Sequence, residues 1–200
     1  MHGERLPVDE QLDALLADIR ACRICEDILP MGPRPVLQVG PKARVLIVGQ
    51  APGIRVHETG VPFNDPSGDR LRDWMGVDRD TFYDDTQIAL VPIGFCFPGT
   101  AKYGDVPPPP VCAETWRQRV MDQIPHVRLT IVLGQHAHKW HLPKKHKTLT
   151  DNVRAWESYG ESLIPLPHPS PRNNIWLKKN PWFADDLLPV LKDRVARALS

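Results

Sequence analysis

The chain carries four cysteines, Cys22, Cys25, Cys96 and Cys112: a pair separated by two residues, then a pair separated by fifteen. Thiolates are soft ligands for zinc and for iron–sulfur clusters. Two distant pairs in a chain without secretory features point to a shared metal centre more than to disulfides. Zinc commonly takes Cys-x2-Cys twice over. Here the wide second pair closes a loop holding Pro98, Pro107, Pro108, Pro109 and Pro110, which suits a larger object such as an iron–sulfur cluster on four thiolates. Spacing alone leaves both metals open, along with a set of buried free thiols.

Three more segments have residue types that can do chemistry. Gly49-Gln50-Ala51-Pro52-Gly53 turns sharply out of an apolar run and offers main-chain donors. It lacks the Gly-Lys-Ser/Thr ending of a P-loop and the third glycine of a dinucleotide loop, which disfavours a nucleotide cofactor. His168-Pro169-Ser170-Pro171 holds a titratable ring in a stiff backbone, because each proline fixes its own φ and restricts the residue before it. A histidine so held can face developing negative charge. Gly60-Val61-Pro62-Phe63 puts a ring on a constrained loop, able to stack on a flat ligand; a core phenylalanine is the plainer alternative.

These segments need a frame. Residues 44–49, 87–92, 129–134 and 162–167 are short apolar runs of the kind that form strands buried on both faces. Before, between and after them, residues 9–21, 69–75, 113–123, 135–141 and 181–199 have helical character, with Leu12, Leu15, Leu16 and Ile19 at helical spacing in the first. Strand alternating with helix predicts an α/β fold: a three-layer α/β/α sandwich on a central, mostly parallel four-stranded sheet. In such a sheet the site lies beyond the carboxyl ends of the strands, where the glycine turn, the loop after Val91 and the His168 loop all emerge.

Two hundred residues with 42% hydrophobic content suffice for a core and read as one domain, residues 1–200, to which 22–25 and 96–112 contribute a metal module. The opening residues are polar and no run approaches a membrane span, so a cytoplasmic protein with no membrane partner is expected. The net charge of +1 excludes nothing. Its distribution is more telling: no acidic residue lies between Asp122 and Asp151, a window with Arg128, Lys139, Lys144, Lys145, Lys147 and five histidines. Arg172, Lys178 and Lys179 follow near Trp176. Basic stretches beside aromatics suit a phosphate backbone, and equally an ordinary solvated face.

Together these residues resemble the uracil-DNA glycosylase superfamily, in particular its iron–sulfur branches, families four and five. The strand leading to Gly-Gln-Ala-Pro-Gly looks like its first motif, with Gly-Val-Pro-Phe ungapped behind it. His168-Pro169-Ser170-Pro171 looks like the second motif, and the four cysteines match the cluster pattern. The resemblance implies a 4Fe-4S cluster on Cys22, Cys25, Cys96 and Cys112, with zinc the lesser alternative. It implies a monomer acting on DNA that contains uracil or another deaminated base. The base is flipped out of the stack and its N-glycosidic bond hydrolysed, a step of base excision repair. Phe63 would stack on the base, Gln50, Ala51 and Asn64 would line its site, and His168 would stabilise charge growing on uracil O2. Pro169, Ser170 and Arg172 would contact DNA. No lysine stands at a motif position to form a Schiff base, so the enzyme would have no lyase step.

The chain departs from that pattern at Ala51, where several branches carry Asp or Asn, and at Pro92, where family four has a base-reading asparagine. His57, Glu58, Asn64 and Asp65 are then the candidates to position water. His57 is preferred, since a neutral histidine is a general base near pH 7. The same departures fit a changed substrate such as hypoxanthine, or a DNA-binding relative with weak or no catalysis. A redox sensor built on the cysteines is a third reading.

Overall fold

A strand buried on both faces needs apolar residues at nearly every position, and the four apolar runs meet that demand with Thr130 of the third, half-buried, as the polar exception. The computed structural model describes residues 8–102 and 104–200; residues 1–7, part of the polar opening stretch, lie outside the described residues. In chain order the elements begin α1 (Val8–Arg20), β1 (Val45–Val48), α2 (Ile54–Thr59), α3 (Pro66–Met75), α4 (Arg79–Tyr83) and β2 (Ile88–Leu90). A small hairpin, β3 (Thr100–Ala101) and β4 (Gly104–Asp105), interrupts the proline-rich loop before α5 (Pro110–Met121). Then come β5 (Leu129–Leu133), α6 (Gly134–His141), α7 (Leu149–Arg154), β6 (Leu163–Leu166), α8 (Asn174–Lys179) and α9 (Leu188–Leu199).

The sheet order is β2-β1-β5-β6 and every pairing is parallel. Alternate residues of each strand enter one of two cores. Leu46, Val48, Ala89 and Val132 meet α1 and α5 through Leu12, Leu16, Ile19, Trp116 and Val120. Val45, Ile47, Ile88 and Ile131 face Leu71 and Trp74 of α3 and Leu191 and Val195 of α9. That is the three-layer sandwich the sequence predicts.

The differences are local. Asp65 caps α3, its side chain accepting from the Gly68 N–H at 2.9 Å, so this helix starts at Pro66 rather than Asp69. Proline in a first turn costs little there because its missing N–H would be unpaired anyway. The final helix is preceded by a π turn, Phe183–Leu187. The short helices α2, α4, α7 and α8 have five or six residues, too few for periodicity to reveal.

Candidate active site

Order β2-β1-β5-β6 means the chain leaves β1 to one side and later returns to the other, making β1/β5 the point where connections diverge. Crevices open there, beyond the carboxyl ends of the strands. A cleft of about 380 Å³ lies at this place, with Gly49, Gln50, Ala51, Phe63, Asp65 and His168 among its lining residues.

The glycine turn is held by its neighbour strand: Ile93 N–H donates to Gly49 O at 2.9 Å and Gly94 N–H to Gln50 O at 3.0 Å. The Gln50 side chain donates to Val106 O at 3.3 Å, tying the first motif to the proline-rich loop. Phe63 adopts φ 53°, a left-handed backbone that non-glycine residues seldom take and that clusters at functional sites. Its ring tip closes over Gly49, where an added Cβ would lie 3.6 Å from Phe63 Cζ. Gly68 is small by necessity, since a Cβ there would collide with the Phe63 carbonyl. Glycine turn, aromatic and α3 therefore form one unit.

His168 leaves β6 half-buried. Ser170 N–H donates to His168 Nδ1 at 3.1 Å. A backbone N–H can only donate, so Nδ1 accepts and the neutral ring carries its proton on Nε2. The Asn173 side chain donates to His168 O at 2.7 Å. Arg70 of α3 secures the loop from the other side, donating to Pro169 O at 3.2 Å, Ser170 O at 3.1 Å and Asn174 Oδ1 at 2.8 Å. Gly134, at φ 80°, opens α6 directly beneath, where a Cβ would stand 3.3 Å from His168 Cβ.

The structure sorts the residues singled out from sequence. Gln50, Ala51, Phe63, His168, Ser170 and Arg172 line the cleft together, and so does Pro92. Pro169 is buried, and its carbonyl is held by Arg70. Asn64 stays outside the lining and accepts from Arg79 at 3.3 Å. His57 does too. It falls on the inward face of α2, 6% exposed, with its ring 6.1 Å from that of Phe97. Residues 54–59, to which the sequence pattern assigns no element, form the helix α2, and its winding turns His57 inward. Glu58 is exposed beyond it. Asp65 alone of the four water-positioning candidates lines the cleft.

The cysteines converge: all four line one small cavity with Ile19, Leu29 and Phe95 among its walls. Burial pushes Cys96 up to about 12 and Cys112 to about 11, and raises Cys25. Phe95 N–H donates to Cys112 Sγ at 3.4 Å, and the Arg34 N–H donates to Cys96. Among the described residues, no group of three or more His, Cys, Asp or Glu is arranged to hold a metal ion. The thiols surround a shared space without closing on a point.

The basic window divides. His138 is a core residue, its Nε2 3.0 Å from both Val132 O and Leu166 O. His141 is held against the Arg117 guanidinium, and burial with that charge pushes its pKa down to about 3. Arg128 stands at the opposite end of β5 from Gly134. What remains as exposed basic surface here is Lys139 on α6 and Lys144, Lys145 and Lys147 after it.

Sequence reasoning passed over Arg70, Gly134 and the buried cleft residue Ser67. Asp-Pro at a helix start was a usable signal for the cap. Nothing in the sequence links Arg70 to a loop a hundred residues away. Among the described residues, no helix is long and apolar enough to cross a membrane. The family model described as the Uracil DNA glycosylase superfamily matches residues 37–192, a span that contains both cleft motifs and begins after Cys22 and Cys25. With that match over most of its length and the two motifs meeting in one cleft, the chain belongs to the uracil-DNA glycosylase superfamily.

Proposed function

We propose that this protein is a monofunctional DNA glycosylase that hydrolyses the N-glycosidic bond of uracil or a related deaminated base. The observation that carries the reading is the Ser170 N–H bonded to His168 Nδ1, which leaves Nε2–H as the ring's donor. Bond cleavage expels the base as an anion, and a donor preset toward the charge that develops on O2 lowers the barrier without reorganising. Phe63, closed over the glycine turn, stacks on the flipped base. Asp65 supplies a carboxylate at the same cleft and takes the water-positioning role in place of His57. An anion there also favours the positive charge that builds on the sugar as the bond breaks. Arg172, exposed at the rim, and the Ser170 loop meet DNA phosphates.

Cys22, Cys25, Cys96 and Cys112 fit an iron–sulfur cluster: four thiols share one cavity, and backbone N–H groups already point at two sulfurs. When bound, the cluster supplies four metal–thiolate bonds that tie the segment after α1 to the loop after β2. Cys96→Ser should lower bound iron and visible absorbance together. A variant that keeps its full iron content, or a wild type that carries zinc, would remove this assignment.

Ala51 and Pro92 line the cleft, and that favours a second reading, a DNA-binding relative without chemistry. Single-turnover assays on oligonucleotides containing uracil or hypoxanthine separate the two. The glycosylase reading expects base release by the wild type, and a loss of about 10²–10³-fold in His168→Ala with DNA affinity retained. No release from either base by protein with intact iron content establishes the binder instead.

A further inference from the structure

Strand register gathers three cations and a histidine at the end of the sheet remote from the cleft. Lys42-Ala43-Arg44 leads into β1 and His126-Val127-Arg128 leads into β5. Val45 pairs with Leu129, so Arg44 stands beside Arg128 and Lys42 beside His126. Arg128 N–H donates to Arg44 O at 2.7 Å and locks the two lead-in segments together. Among the described residues these four alone line a recess of about 270 Å³. Arg44 is preset there, its Nη1 donating to Leu199 O at 2.7 Å.

Several surface arginines meet carboxylates: Arg23 pairs with Glu26, Arg119 with Asp18, Arg197 with Glu161 and Asp193. Among the described residues, Lys42, Arg44, His126 and Arg128 make no ion pair. The adjoining recess shares Arg128 and adds Arg194 and Arg197, whose charges are already met by Glu161 and Asp193. Like charges crowded together raise the energy of the folded state unless an anion answers them.

We propose that this recess binds a phosphoryl group, at a site separate from the cleft. Two guanidinium forks side by side match the oxygens of a tetrahedral dianion, and lysine adds a point charge. The ligand is either a free phosphate ester or a phosphate of a nucleic-acid backbone. The four-residue strand β1 puts about 13 Å between this end of the sheet and the glycine turn, so a ligand here leaves the cleft open. The inference stands independently of the glycosylase reading.

The test titrates the full-length protein with pyrophosphate and, separately, with undamaged duplex at several salt concentrations. Lys42→Gln/Arg128→Gln is compared with wild type; Arg44 is spared because it anchors the last helix. Arg20→Gln/Lys192→Gln, which removes the same charge elsewhere, is the control. A free-phosphate site predicts saturable pyrophosphate binding, weakened about tenfold or more for the lost guanidinium contact in the recess variant only. A backbone site instead predicts duplex binding whose salt slope falls by about 2 in that variant, near 0.9 per lost phosphate contact. The proposal is overturned if the recess variant binds both probes as wild type does, or if the control loses as much.

Discussion

At Asp65 one carboxylate has two tasks, since it caps α3 and also lines the cleft. The two can be separated because asparagine caps a helix about as well as aspartate, whereas alanine costs about 1 kcal/mol. Asp65→Asn should therefore keep the wild-type melting temperature while base release slows. Asp65→Ala should lose stability by that amount and slow equally. Full activity in Asp65→Asn would show that the carboxylate only caps. His57, expected from sequence to position water, carries no such double burden: on α2 it packs against Phe97, and His57→Leu should act on stability rather than on turnover.

At the scale of elements, α3 connects the two motifs. Its start holds Phe63 through Gly68, and its first turns reach the His168 loop through Arg70. Arg70 does not belong to the cleft lining, so it is a positioning residue. Arg70→Met removes two hydrogen bonds to the loop and one to Asn174 at the start of α8. Single-turnover release should fall by about tenfold, while DNA affinity changes little, because a small misplacement of a catalytic donor lowers rate more than binding. Arg70→Lys, which restores one donor, should recover part of the rate. Equal losses in affinity and rate would mean that Arg70 instead serves the DNA surface. The proline-rich loop is a second connector, as Gln50 is bonded to Val106 O and Cys96 and Cys112 lie at its two ends.

Across the whole molecule, buried histidines set the response to acid. His138 and His141 have pKa values below the ordinary 6.5, through burial first, with the Arg117 charge adding to the effect at His141. Above about pH 6.5 both are neutral whether folded or unfolded and contribute nothing. As pH falls below that value the unfolded chain takes up protons that the folded chain refuses. Stability then drops with falling pH through both histidines, and for His141 the loss, about 1.4 kcal/mol per pH unit, runs on toward about 3. The urea midpoint should fall between pH 7 and pH 5, and His141→Gln should shallow that slope by one proton. An unchanged slope would mean that His141 is protonated in the folded protein.

Much was legible in the sequence because it depends on neighbours along the chain. Apolar runs of strand length, the glycine turn leaving one of them and the proline-fixed histidine loop are all local, and they give a parallel sheet with a site beyond its carboxyl ends. The helix boundaries were less so, because α2 and the first turn of α3 are short and polar. Tertiary structure alone decided the rest. It turned His57 into the core, brought Asp65 into the cleft and reached from Arg70 to the His168 loop. It also removed His138 and His141 from the basic surface. The physical reason is common to all of these: helix winding, strand register and contacts between distant segments settle which side chains share a space, and residue spacing does not encode them.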